Sequence, residues 1–237
     1  MEETAEVKVK IIKEDSKIKR IHVGIILDRS GSMGSIAGEI CQSFNSQINK
    51  INEKSKEIDT DVTLVTFSNE VDKIDIFAEP ADAVAELNSE TYHPDGLTAL
   101  YDAIGELVER FEKLEDAKNE DVSFLIFIFS DGLNNNSNKY SATDIAEKIQ
   151  SLQATNHWTF TYLGTDHDLG TVRKDTGFLR SNMMGFAKNA VGVGIATSSV
   201  SRGLDNYYSK AKLVGASMDA EEKLSEDFFE DEKKEEK

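Results

Sequence analysis

The sequence predicts an α/β domain: a doubly wound, mostly parallel central sheet with one antiparallel edge strand and helices on both faces. Three observations carry that reading. The runs "IHVGIIL" (21–27) and "VSFLIFIFSDG" (122–132) begin with continuous rather than alternating apolar stretches, as strands do when both faces are covered. Apolar residues at helical spacing follow each strand region. Two β-rich runs, 61–68 and 71–78, are joined by only Asn69 and Glu70, which reads as a hairpin and hence as an antiparallel edge. The resulting order, β-α-β-β-α-β-α-β-α, is that of a doubly wound sheet.

The elements follow in turn. Residues 7–12, "VKVKII", alternate apolar and basic and read as an edge strand or hairpin arm before the core. Residues 1–19 are accordingly set apart as an N-terminal extension. In 36–56, Ile36, Ile40, Phe44, Ile48 and Ile51 line one helical face, with Cys41 beside that stripe as a buried small residue. A short helix is expected after Pro80, a residue tolerated in a first helical turn. Leu100, Ile104, Leu107, Val108 and Phe111 form the buried stripe of the next helix. Ser141 or Thr143 can cap the one after it. "HWTFTYLG" (157–164) is a further strand. Beyond it the pattern weakens: "TDHD" (165–168) reads as a solvated turn, "NMMGFAKN" as a short edge strand, and 190–212 as a final helix despite its glycines. The domain is expected over 20–214, and the charge-dense segment 215–237 reads as a disordered acidic tail. Phe228 and Phe229 are out of character there: they read first as part of the solvated tail, with an aromatic-acidic docking motif as the alternative.

Composition narrows the function. The 237 residues carry a formal net charge of −17, which repels nucleic acid and anionic membrane and suits a cation or a basic partner. A single cysteine excludes an internal disulfide and fits a reducing, cytoplasmic compartment. No stretch has the apolar h-region of a signal peptide or the ~20 apolar residues of a membrane helix.

The chemistry-bearing residues gather where such folds bind ligands, outside the carboxyl ends of the strands. "LDRSGSMGS" (27–35) ends the first central strand and offers Asp28, Ser30 and Ser32. "HPDGLTAL" (93–100) offers Thr98, with His93 near the rim, and the 122–132 strand ends in Asp131. Carboxylates and hydroxyls without thiol or imidazole suit a hard cation: Mg²⁺ first, then Mn²⁺ or Ca²⁺. In an extended loop, Ser30 and Ser32 would face the same ion. A simpler alternative is that Asp28 and the serines only cap the following helix.

"DRSGSM", "GLTALYDAI" and "FSDG", in that order, resemble the von Willebrand factor A domain family with its metal-ion-dependent adhesion site, over roughly residues 20–212. The resemblance implies that Ser30, Ser32 and Thr98 bind the ion directly and that Asp28 and Asp131 act mainly through water. It also implies a partner's Asp or Glu as the remaining ligand. Most such sites carry two glycines before the threonine, whereas this chain has Gly96-Leu97-Thr98. The likeness is strongest to compact intracellular proteins of bacteria and phages, which implies an adaptor or assembly role and, as partner, an AAA+ ATPase of the MoxR type.

Two other classes stay open. A metal-dependent hydrolase of phosphoesterase type would use the same ion. However, an aspartyl-nucleophile phosphatase wants an acid where Ser30 stands, and the chain has no Walker lysine, G-x-G-x-x-G or G-x-S-x-G. A structural protein could oligomerise through the 7–12 strand or the tail. The expectation is a non-enzymatic, metal-dependent protein-binding module.

Overall fold

The computed structural model describes residues 18–71, 76–213 and 223–229. Six strands form one sheet: β1 (Arg20–Asp28), β2 (Asp59–Phe67), β3 (Ile76–Pro80), β4 (Val122–Phe129), β5 (Trp158–Gly164) and β6 (Met183–Gly185). Their spatial order is β3-β2-β1-β4-β5-β6. β1 pairs in parallel with β2 on one side and β4 on the other, β5 and β6 continue in parallel, and β3 runs antiparallel to β2 at the edge. This is the doubly wound arrangement expected. Phe67 bridges Val71 across the hairpin, residues 72–75 lie outside the described residues, and the described part of β3 spans Ile76–Pro80.

Helices α1 (Ala37–Ser55) and α5 (Ala190–Leu213) cover one face, and α2 (Leu100–Phe111), α3 (Ala142–Gln153) and α4 (Leu169–Thr176) cover the other. The continuous apolar run of β1 follows from this. Ile21, Val23, Ile25 and Leu27 pack toward α1 and α5, while Ile26 packs toward α2. The predicted stripes of α1 and α2 are buried. Ser141 caps α3 in a reciprocal box with Asp144, and a 3₁₀ turn over Ala81–Ala83 takes the place of the short helix after Pro80.

Two features depart from expectation. α4 starts directly after the "TDHD" turn, in which the Thr165 hydroxyl donates to Asp168 at 2.7 Å. It ends on Gly177 at φ +71°, the left-handed conformation that glycine adopts without penalty. With only Val172 and Thr176 buried, it shows no helical stripe in the sequence. The tail is the second departure. Residues 7–12 and most of 215–237 lie outside the described residues, but 223–229 is packed on the domain rather than disordered. Leu224 and Phe228 join the α5-side core, and the Phe228 ring meets Phe127 edge-on at 5.4 Å. It fits because residue 203 of α5 is glycine: a Cβ there would lie 2.1 Å from the ring. Asn182 fixes the segment by donating to the Ser225 carbonyl at 2.8 Å and accepting from the Phe228 N–H at 2.9 Å. Phe228 is therefore a core residue of its own chain, and the folded unit extends past 214.

In this order the chain winds outward from β1 in one direction and from β4 in the other, so the crevice between their carboxyl ends is the switch point of the sheet. Asp28 closes β1, and Ser130-Asp131 follow β4 at that crevice.

Phe228→Ala is expected to destabilise the full chain by about 3 kcal/mol, the usual cost of emptying a buried aromatic site. Urea unfolding measures it, and a change within error would mean the segment contributes nothing to the core.

Candidate metal centre

Asp28 is fully buried at the end of β1. One carboxylate oxygen accepts the Ser30 N–H at 2.6 Å, and the other accepts the Ser130 hydroxyl at 2.6 Å. Burial pushes its pKa up to about 6, with neighbouring Asp131 adding a smaller push, while the bonds from Ser130 and Ser30 pull the other way. Its carbonyl accepts the Tyr92 hydroxyl at 2.5 Å. Tyr92 is itself buried, which holds its phenol neutral as a donor.

The serines are not in an extended loop. Gly31–Ile36 is a 3₁₀ helix, and its tight turn brings the Ser30 and Ser32 hydroxyls within 3.0 Å of each other. Ser32 then donates to Asp131 Oδ1 at 2.6 Å. Ser30 occupies the cap position of this turn but makes no side-chain cap bond, and α1 has no side-chain cap either. The hydroxyls are thus turned toward one another and toward a carboxylate, not toward a helix end.

Thr98 is buried and borders the same cluster: a Cβ on Gly132 would sit 3.8 Å from its hydroxyl. Its loop is tied down from three sides. Gly31 N–H donates to the Gly96 carbonyl and Asp95 N–H to the Arg29 carbonyl. Asn135 accepts the Thr98 N–H and Asn69 accepts the Leu97 N–H, each at 2.8 Å. Gly96 has φ +81° and lies against the Asn69 amide, so a side chain there would be both strained and crowded. Behind this loop the buried Asp102 carboxylate takes the N–H groups of Asn138, Lys139 and Tyr140.

The structure therefore brings Asp28, Ser30, Ser32, Thr98 and Asp131 together at one crevice. His93 is exposed, with its ring against the Glu90 carbonyl at 2.9 Å. Sequence reasoning missed Ser130, Tyr92, the asparagine clamps and Lys188, whose ammonium lies 2.5 Å from Asp131 Oδ2. Ser130 lies inside the "FSDG" motif, and the run "NNNSN" (134–138) was a visible signal of side-chain-to-backbone bonding.

The donor set fits a hard divalent cation. It consists of oxygen alone, and its buried Asp131 Oδ2 receives no directed hydrogen bond, being paired instead with the Lys188 ammonium, itself a cation. Among the described residues no cluster of three or more His, Cys, Asp or Glu side chains is placed to hold a metal. The hydroxyls would have to supply the remaining coordination.

The sequence profile of the von Willebrand factor type A domain matches residues 22–174. The chain belongs to that family. Among solved structures, it is similar to the PilB minor pilin from Streptococcus sanguinis, at 12% identity and TM-score 0.53, covering 78% of this chain and 61% of the pilin. It is also similar to proximal thread matrix protein 1 from the mussel byssus, solved with a zinc-occupied MIDAS motif, at 14% identity and TM-score 0.49 over 79% of this chain. The chain spans 46% of that protein's length. Manganese-loaded TRAP protein of Plasmodium vivax gives 14% identity and TM-score 0.49, covering 78% of this chain and 74% of TRAP. Comparison with curated proteins gives no match.

In metal-free protein the raised Asp28 pKa has a definite sign. The folded chain holds this proton more tightly than the unfolded chain, so the contribution is greatest below about pH 4 and is lost as pH rises through about 6. In the presence of chelator, the wild type is expected to lose on the order of 3 kcal/mol relative to Asp28→Asn across that interval. Urea unfolding at each pH reads this, and parallel profiles for the two proteins would contradict it.

Proposed function

We propose that this chain is a divalent-metal-dependent protein-binding module that captures an Asp or Glu side chain of a partner. Ser30, Ser32 and Thr98 hold the ion directly, and Asp28 and Asp131 hold it mainly through water. The observation that carries this reading is the chain of contacts Ser30–Ser32–Asp131 beside buried Asp28, with hydroxyls that cap no helix. A bound divalent ion supplies an electrophilic coordination position open to an outside carboxylate. The residues of this chain set how strongly it does so. Neutral hydroxyls leave the ion's charge largely uncompensated, and Ser130, Tyr92 and Asn135 keep the three loops fixed, so that little rearrangement is needed on binding.

Mg²⁺ is the ion we favour, with Mn²⁺ or Ca²⁺ as alternatives, because the donors are all hard oxygens. A binding role is favoured over hydrolysis because both Asp28 oxygens accept protein donors and Asp131 is engaged by Ser32 and Lys188, so neither carboxylate stands ready as a general base. We place the protein in the cytoplasm, on the strength of its single buried cysteine. Among the described residues no helix is long and apolar enough to cross a membrane. An adaptor role toward an AAA+ ATPase of the MoxR type is the partnership that the family resemblance suggests, and an acidic surface argues against nucleic acid.

Calorimetric titration of the full chain with Mg²⁺, Mn²⁺ and Ca²⁺ tests the site. One saturable site is expected, weakened about 10–100-fold by Asp28→Ala, the range seen when supporting groups around a metal are removed, and by Ser30→Ala as well. Unchanged binding in both variants would overturn the assignment. A glutamate-containing peptide is expected to bind the metal-loaded chain and to be released by EDTA, whereas its glutamine counterpart is not expected to bind.

A further inference from the structure

Lys188 is a charged group beside the site to which the metal reading gives no role. It stands between β6 and α5, and its ammonium lies 2.5 Å from Oδ2 of Asp131, whose side chain is fully buried. The contact is ionic, without a directed hydrogen bond, and the carboxylate's other oxygen is taken by Ser32. The backbone around Lys188 is anchored at both ends. Phe186 N–H donates to the Gly164 carbonyl, and Asn189 caps α5, accepting from Gly192 through its side chain and from Val193 through its carbonyl. A short, fixed segment therefore presents the ammonium to the carboxylate.

Charge balance gives this contact a meaning. Asp28 and Asp131, when ionised, carry two negative charges, and Lys188 offsets one of them. A divalent ion added beside Lys188 leaves the cluster one unit positive, and although the Lys188 side chain is partly exposed to solvent, both carboxylates are buried, which limits screening at their oxygens. One outside carboxylate returns it to neutrality.

We propose that Lys188 is a tethered antagonist of the divalent ion: it pairs with Asp131 in the empty site, opposes ion binding, and makes tight ion binding depend on the partner's carboxylate. This rests on the metal-binding reading above. By linkage, the ion must weaken the Lys188–Asp131 contact to the same degree that Lys188 weakens the ion. The acidic partner relieves the excess positive charge and so binds cooperatively with the metal. Lys188 is thus a residue that sets affinity, not a ligand.

The test is Mn²⁺ titration of the full chain, with free Mn²⁺ read by electron paramagnetic resonance, for wild type, K188M, K188Q and K188R. K188Q retains a hydrogen-bond donor toward Asp131 and so provides a neutral variant that keeps the fold. Both neutral variants are expected to bind Mn²⁺ about 10-fold more tightly than wild type, within the usual range of coupling between sites, and K188R is expected to bind as wild type does. Mn²⁺ is also expected to raise the melting temperature of K188Q more than that of wild type. Equal or weaker Mn²⁺ binding by K188Q would overturn the role of Lys188 while leaving the metal site standing. Absence of saturable binding in all four proteins would overturn both.

Discussion

The parallel pairing of β1 with β4 is the constraint on which the site depends. The two strands are in register from Arg20 against Val122 to Leu27 against Phe129, so their last residues leave the sheet side by side. Asp28 and Ser130 meet there through a 2.6 Å hydrogen bond. That bond satisfies a carboxylate which is otherwise costly to bury, and it fixes the distance between the two loops that carry the remaining oxygens. A shift of one residue in this pairing would turn the side chains to the opposite face and take the site apart.

Around this pair the loops are held mostly by polar side chains that bond to backbone. Asn69, Asn135 and Asp102 each accept N–H groups from a neighbouring segment. Loops of this kind have little apolar area to bury, so such bonds decide their shape. The cost of leaving any of these buried groups unpaired is larger than the gain from making one bond. The network is therefore more sensitive to the loss of one partner than its modest individual bonds suggest.

Much of this was legible in the sequence, for definite physical reasons. Continuous apolar runs mark strands covered on both faces, and the stripes of α1 and α2 follow the helical period, so their placement needed only local information. Asp28 and Asp131 stand at or just past strand ends, where the topology gathers such residues. What escaped notice depends on pairs far apart in the chain. Nothing local marks Lys188 as the neighbour of Asp131, 57 residues earlier in sequence. Nothing in the acidic run around Phe228 shows that Gly203 leaves room for its ring. Short α4 buries too few residues to display a period. The two serines lie side by side, as their spacing suggests, but in a 3₁₀ turn rather than an extended loop, because the Ser-Gly-Ser spacing fits both equally well.

The packed segment 223–229 lies against Asn156, Thr159 and Asn182, residues at the amino-terminal side of β5 and β6. The first described residues, at 18–20, also sit at the amino-terminal side of the sheet, bonded to Asp121. Both ends of the described chain therefore emerge on the side opposite Asp28 and Asp131. A neighbour joined directly at residue 18 or 229 would stand away from the crevice and leave its mouth uncovered.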